Sequence, residues 1–500
     1  MKFQAPDLVK NRLRAAQIGF LVAAVLTFGT CIQAAPATGW SGTSTISPSV
    51  QPDPTRGAQV NDVTVNASGL TVAVWDQYNF YSPVSASVGI AIQSGGRWGA
   101  PCTFSGTAIP NPAPDGSPGR ADNFPCAPTS SGATNFSMTP KVAVGTDGTI
   151  AVSWTYQDAN QPGQKVQVAV KPVGSTIWTG YTLATFMPGG VTITRSVPIA
   201  VDASGNVTAA WNVWDGTRNV VQAATLPSGS NTWSATSTLS DPGHDGLYFS
   251  LAVNAAGDAG VAYSLSPYST YSTGTAAYYV SRNTDGSWST PEKISETLMS
   301  WVGYVVSPQV GLDANGLATV IYMGNSLEAT RQQLQPDNSL IWTSPVTIVE
   351  SNVSGASYMS ADLAVDNNGD ALVALSIFDP TVNVDRASVW VTQGDTAGHW
   401  TPQQRITDPS VPVDAYATRV AVSPDGSLKF VGWIDHYHGT AQVAQWNGSV
   451  WNTTSIGQGT AFAGYLEVLS LDVGSGTVAR AIWKSSSSNK GTKIMATSYR

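Results

Sequence analysis

Charge is scarce in this chain. Only 11% of its 500 residues are Asp, Glu, Lys or Arg, less than half the ~25% usual in soluble domains. Ser, Thr, Asn, Gln and Gly must therefore cover much of the surface, as they do in many extracellular β proteins. Clustered Lys and Arg are also missing, and the formal net charge is −8. That excludes nucleic acid and anionic membrane surfaces as main partners, since both select basic patches. No later apolar run matches Ile18–Phe28, which is itself too short to favour a stable span, so no transmembrane segment is expected. No Ser-His-Asp order and no phosphate-binding loop appears, and none of the turns has the dense carboxylates of a calcium loop. Nothing in the sequence calls for a cofactor or a metal.

What is present begins with an export signal. Lys2, Lys10, Arg12 and Arg14 precede the Ile18–Phe28 run, and small residues follow around 34–37. Residues 1–35 read as a signal peptide, and 36–500 as the mature chain, extracellular or periplasmic. Cys31 falls in the leader with a poor context for lipidation. Cys102 and Cys126 are then the one possible disulfide in a chain bound for an oxidising compartment.

The strongest signal is an internal repeat. The stretch 199–211, IAVDASGNVTAAW, recurs as 63–75, 142–154, 251–263, 310–322, 363–375, 420–433 and 471–483. Each copy alternates apolar and polar residues, turns at a Gly, and alternates again up to a closing residue that is usually aromatic. Period-two alternation about an Asp/Asn-x-x-Gly turn makes a β-hairpin, because Gly and Asn tolerate the positive φ of such turns. A third run follows each hairpin, and then a Trp opens a fourth: Trp98, Trp178, Trp233, Trp288, Trp342, Trp400 and Trp451. The eighth hairpin runs out at Tyr499-Arg500 with three strands. Its missing strand stands at the other end, where WSGTSTIS at 40–47 nearly repeats WSATSTLS at 233–240.

This arrangement predicts an all-β fold: an eight-bladed propeller of four-stranded antiparallel blades in one domain, 36–500. Residues 38–48 close the last blade with 468–500, which removes an exposed sheet edge. Seven blades are the alternative. One unit is stretched: 80 residues separate Trp98 from Trp178, against 55 between Trp178 and Trp233. The excess is a Pro/Gly/Ser-rich insertion, 103–135, which the cysteine pair would staple against the blade.

The hairpins with their Trp-led fourth strands resemble the sialidase-like repeats of secreted bacterial β-propellers. The turn Ser281-Arg-Asn-Thr-Asp-Gly-Ser-Trp288 is similar to the Asp box of that superfamily, with Asn283 at its Asp position and Asp285 at its Gly position. The resemblance implies a scaffold shared by many functions. It does not extend to sialidase chemistry, because the first blade (58–107) has no Arg-Ile-Pro motif and Glu is scarce.

Strand order also locates a functional face. With each first strand on the axis, the loops entering it and those after the second strand emerge together, opposite the short Gly turns. These loops vary in length and collect Asp76, Tyr78, Arg195, Trp214, Asp215, Tyr304, Tyr416, Arg419, Asp435, His436 and His438. Aromatic faces interleaved with carboxylates and cations suit sugar rings and their hydroxyls. The expectation is a lectin-like monomer that contacts a glycan or an extracellular protein. The alternative is a carbohydrate-active hydrolase or lyase, with Asp76, Asp215 or Asp435 as acid and base. The plain reading of each Asp is a turn cap.

Overall fold

The structure is a computed structural model that describes residues 39–47, 56–79, 85–104, 109–113, 117–126, 135–158, 163–185, 196–241, 245–266, 276–283, 285–295, 308–323, 326–349, 357–378, 387–458, 469–474, 478–487 and 491–500. Among them every regular element is a β-strand. Trp40–Tyr499 makes one compact unit, and it is the expected eight-bladed propeller. Blade 3 shows the plan: Ile199–Val201, Val207–Trp214, Asn219–Leu226 and Ser237–Thr238 pair in that order, each antiparallel to the next. Six blades are separate sheets. Blades 1 and 2 are joined by a single parallel pair, Ala86 with Phe136.

Closure follows the sequence expectation. Ser44–Thr45 pairs antiparallel with Gly491–Tyr499, outside Ala479–Ser487 and Leu469–Val473. A bridge from Trp40 to Tyr499 and the Ile46 N–H donating to the Ile494 carbonyl at 2.9 Å extend the seam. The Trp40 ring meets Phe430 and Tyr499, each 5.7 Å away and edge-on.

The residue that closes each hairpin is the core of its blade. Trp75, Trp154, Trp211, Tyr263, Tyr322 and Trp483 are all fully buried. The indole N–H groups of Trp154 and Trp211 donate to Gln167 and Gln222 on the third strand, at 3.0 and 3.1 Å. Apolar clusters run from blade to blade rather than filling one centre, so the ring stands only when its blades pack together.

The Gly-turn end repeats one solution in most blades. Asp202, Asp313 and Asp366 are buried and cap their own turns, each accepting backbone N–H groups two and four residues on, at 2.9 Å for Asp202 and Asp366 and 2.8–2.9 Å for Asp313. Arginines lock the turns of adjacent blades. Arg331 donates to Asp313 at 3.0 Å and to the Gly369 carbonyl of blade 6 at 2.5 Å, with both charged side chains almost wholly buried. Gly369 has φ +96°, and a Cβ there would collide with the Arg331 guanidinium. The turn therefore needs Gly twice over. Arg480 of blade 8 likewise donates to Thr71 and Gln93 of blade 1.

The insertion does more than sit against a blade. Cys102 lies on Cys102–Phe104 at the outer side of blade 1, and Cys126 follows Gly119–Phe124, an added fifth strand on blade 2. Their disulfide, with Cα atoms 5.4 Å apart, therefore staples two blades together. Phe104 and Phe124 stack on Trp154 beneath it, at 5.6 and 6.1 Å.

Candidate functional site

The opposite ends of the inner strands are irregular. Five of them carry a β-bulge: Arg56–Val65, Asn135–Val144, Asp245–Val253, Ser357–Val365 and Ala415–Val422. At three bulges a non-glycine residue has positive φ: Thr139 (53°), Tyr248 (26°) and Ala417 (52°). Such outliers are costly for residues with a Cβ and concentrate at functional sites. Bulges re-aim side chains. In each of these strands, and in the regularly paired Gln309–Leu312, the residue just before the repeat is polar.

Those residues are Asp62, Lys141, Ser250, Gln309, Asp362 and Arg419. Asp62 accepts the Val142 N–H at 3.1 Å, Ser250 that of Val310 at 2.9 Å, Gln309 that of Leu363 at 2.9 Å, and Asp362 that of Val420 at 2.9 Å. The result is a collar in which four of these side chains each accept from the backbone of the next blade. Enclosure raises the Asp362 carboxyl above the usual range against the pull of Arg419, the Val420 N–H and Lys141. Lys141 belongs to blade 2, opposite Asp362 of blade 6, so the collar's charges act across the axis.

Asp76 is part of the same stitching. It is buried and accepts the N–H of the strained Thr139 with both oxygens, at 3.0 and 3.2 Å. Burial pushes its carboxyl up to about 7, against hydrogen bonds from Asn61 and Thr139. Asp215 takes the plain reading instead. It sits in an exposed turn, accepting Thr217 N–H and Oγ1–H and Arg218 N–H at 2.7–3.0 Å. Desolvation raises its carboxyl, but these bonds and the Arg218 charge together hold it below the usual carboxylate range. Trp214, beside it, is half-buried at the end of its strand. The backbone of Tyr78 pairs with Gly57 and Ala86, but its side chain lies outside the described residues, as do Arg195 and Tyr304 entirely.

The structure brings the remaining five predicted residues together on blade 7. Asp435 ends the second strand, Lys429–Asp435, with its carboxylate buried. It accepts the N–H groups of Tyr437 and His438 at 3.0 and 3.3 Å, and its other oxygen meets His438 Nδ1 at 2.5 Å. The His438 ring is thereby fixed while 42% of the side chain stays exposed. Tyr437, 55% exposed, stands edge-on to it at 4.9 Å. His436 packs on Tyr416 at 4.7 Å, and burial lowers its pKa against the opposing effect of Asp435. Arg419, on the strand of Tyr416, donates to the Thr418 carbonyl at 3.0 Å and joins the site to the collar.

Sequence reasoning missed most of the collar. Its signal was available, since all six residues stand immediately before the first apolar residue of a repeat, a column that alignment of the eight copies exposes. Among the described residues no group of three or more His, Cys, Asp or Glu is placed to hold a metal.

No protein-family model and no curated protein matches this chain. Solved structures do. A polysaccharide lyase is similar at 10% identity over 94% of this chain and 94% of its own, with a TM-score of 0.43. The lectin of Aleuria aurantia is similar at 15% identity over 65% of this chain and 98% of its own, TM-score 0.35. A Hadza microbial sialidase is similar at 12% identity over 70% and 76%, TM-score 0.34.

Proposed function

We propose that this protein is a secreted recognition propeller of the lectin-like kind, holding a glycan or an extracellular protein on its bulged, loop-bearing end. The carrying observation is the blade 7 cluster. An exposed tyrosine and an exposed imidazole stand at right angles, and a buried carboxylate fixes the imidazole. A sugar ring can lie on such an aromatic surface while ring nitrogens and the nearby collar exchange hydrogen bonds with its hydroxyls. Export is supported by the leader composition and by the Cys102–Cys126 disulfide, a bond that persists in oxidising compartments. No helix of the described residues is long and apolar enough to cross a membrane.

One observation favours a second reading. An imidazole held by a buried carboxylate, as His438 is by Asp435, is also the arrangement of a general base. The enzyme of that reading would be a carbohydrate hydrolase or lyase. Asp76 and Asp215 support it less, the first committed to an inter-blade clasp and the second to a turn.

A glycan array read both for retained protein and for released sugar separates the two. Retention on a related set of glycans without product supports recognition. Product that disappears in His438→Gln puts the enzyme first. Silence in both channels removes sugars and leaves protein partners.

A further inference from the structure

A sheet edge is a row of unpaired N–H and C=O groups that templates pairing with another chain, and native folds blunt it with short strands, charges or a cover. Seven of the eight blades here do so. In six of them the outermost described strands are four residues or fewer, and those of blades 4 and 6 carry charge, as Glu292–Lys293 and Gln404–Arg405. Blade 2 has an eight-residue strand in that position, Trp178–Thr185, but Gly119–Phe124 covers it and presents Arg120 and Asp122 at the new edge. Blade 7 is the exception. Its outermost strand, Trp451–Gln458, is eight residues long, about 26 Å at strand rise, and no described strand covers it. Asn452, Thr453, Thr454 and Ser455 are all exposed, and Val450 at its entry is 50% exposed.

We propose that this edge pairs antiparallel with the same strand of a second copy of the chain, making a two-fold dimer in place of the monomer the sequence suggests. Charge selects that occupant. The chain carries a net −8, yet residues 439–458 hold no Asp, Glu, Lys, Arg or His. Two copies repel elsewhere on their surfaces but not along this strand, and a basic partner has nothing here to attract it. A two-fold axis at Thr454 sets its side chain against that of Thr454 in the second copy across the pair. Cross-strand Thr pairs stabilise antiparallel sheets, and an isologous contact of this kind closes at two copies.

The test is sedimentation equilibrium of the intact chain and of two variants. The wild type is expected at twice the chain mass. Thr454→Lys, which sets two ammonium groups side by side at the axis, is expected at the chain mass with an unchanged circular-dichroism spectrum. Thr454→Cys is expected to cross-link to a covalent dimer on mild oxidation. A monomeric wild type overturns the proposal, as does a dimer that survives Thr454→Lys, or a ladder of larger masses. None of these outcomes bears on glycan retention, which reports on the opposite end of blade 7's loops.

Discussion

The two ends of the inner strands come from the same repeat and behave differently. At the Gly-turn end blades 1, 3, 4, 5 and 6 solve one local problem alike. A buried Asp or Asn caps its turn, Gly supplies the positive φ, and arginines tie neighbouring turns together. At the loop end the copies diverge into bulges, strained residues and a collar that mixes acidic, basic and neutral polar side chains. Uniformity marks residues that answer to the fold. Divergence on a rigid frame marks residues free to answer to a ligand.

The sharpest contrast is predicted between a turn-end clasp and a loop-end contact. Arg331→Leu leaves Asp313 buried without its partner and the Gly369 carbonyl without its donor. Unfolding is expected to become easier by about 3–5 kcal/mol, the cost of breaking a buried pair. Tyr437→Ala, at an exposed site, should change stability by less than about 0.5 kcal/mol and abolish ligand retention instead. Chemical denaturation of the two variants checks the first claim, and the array checks the second.

The staple between blades 1 and 2 ranks next. Cys102→Ser with Cys126→Ser opens a cross-link of sequence separation 24 and is expected to lower stability by about 3 kcal/mol in the loop-entropy account. A loss near zero would mean that Gly119–Phe124 holds its edge by strand pairing alone.

A smaller effect separates the buried axial carboxyls from the exposed turn carboxyls. Burial raises Asp76 to about 7 and Asp472 to about 6, above their ordinary 3.8. Between pH 3.8 and 7 the folded chain thus holds protons that the unfolded chain has lost. Their contribution to stability is full below that window and fades as pH rises through it. Asp395 and Asp425, at the turns, are held below the usual range mainly by hydrogen bonds from His399 and Ser423, and their contributions fade in the opposite direction, at low pH. Thermal midpoints should fall by a few degrees between mildly acidic and mildly alkaline buffer, and Asp76→Asn with Asp472→Asn should flatten that slope.

Much of this fold was legible in the sequence because period-two alternation, Gly at a fixed place and a Trp-led fourth strand are local signals. The near-identity of the 40–47 and 233–240 segments disclosed ring closure. The strand Gly119–Phe124 was not legible, since Gly-Arg-Ala-Asp-Asn-Phe lacks alternation and pairs only because Trp178–Thr185 offers an edge. At the site, Asp435, His436 and His438 were readable as a polar run after a strand. The role of Asp76 was not, because its partner Thr139 comes from another blade 63 residues on. The bulges were equally invisible, as no residue type compels them.

The smallest effect probes strain alone. Ala417→Gly removes the Cβ from a residue at φ 52° and is expected to raise stability by about 0.5–1 kcal/mol. A loss would show that the Ala417 methyl packs in a way that outweighs its backbone conformation.

The most direct test is a calorimetric titration of a glycan retained on the array against the chain and two single variants at opposite ends of blade 7. Tyr437→Ala at the loop end is predicted to abolish the heat of binding, and Val450→Ala at the turn end to leave it unchanged. Binding that survives Tyr437→Ala, or fails with Val450→Ala, would contradict a recognition site on the bulged end.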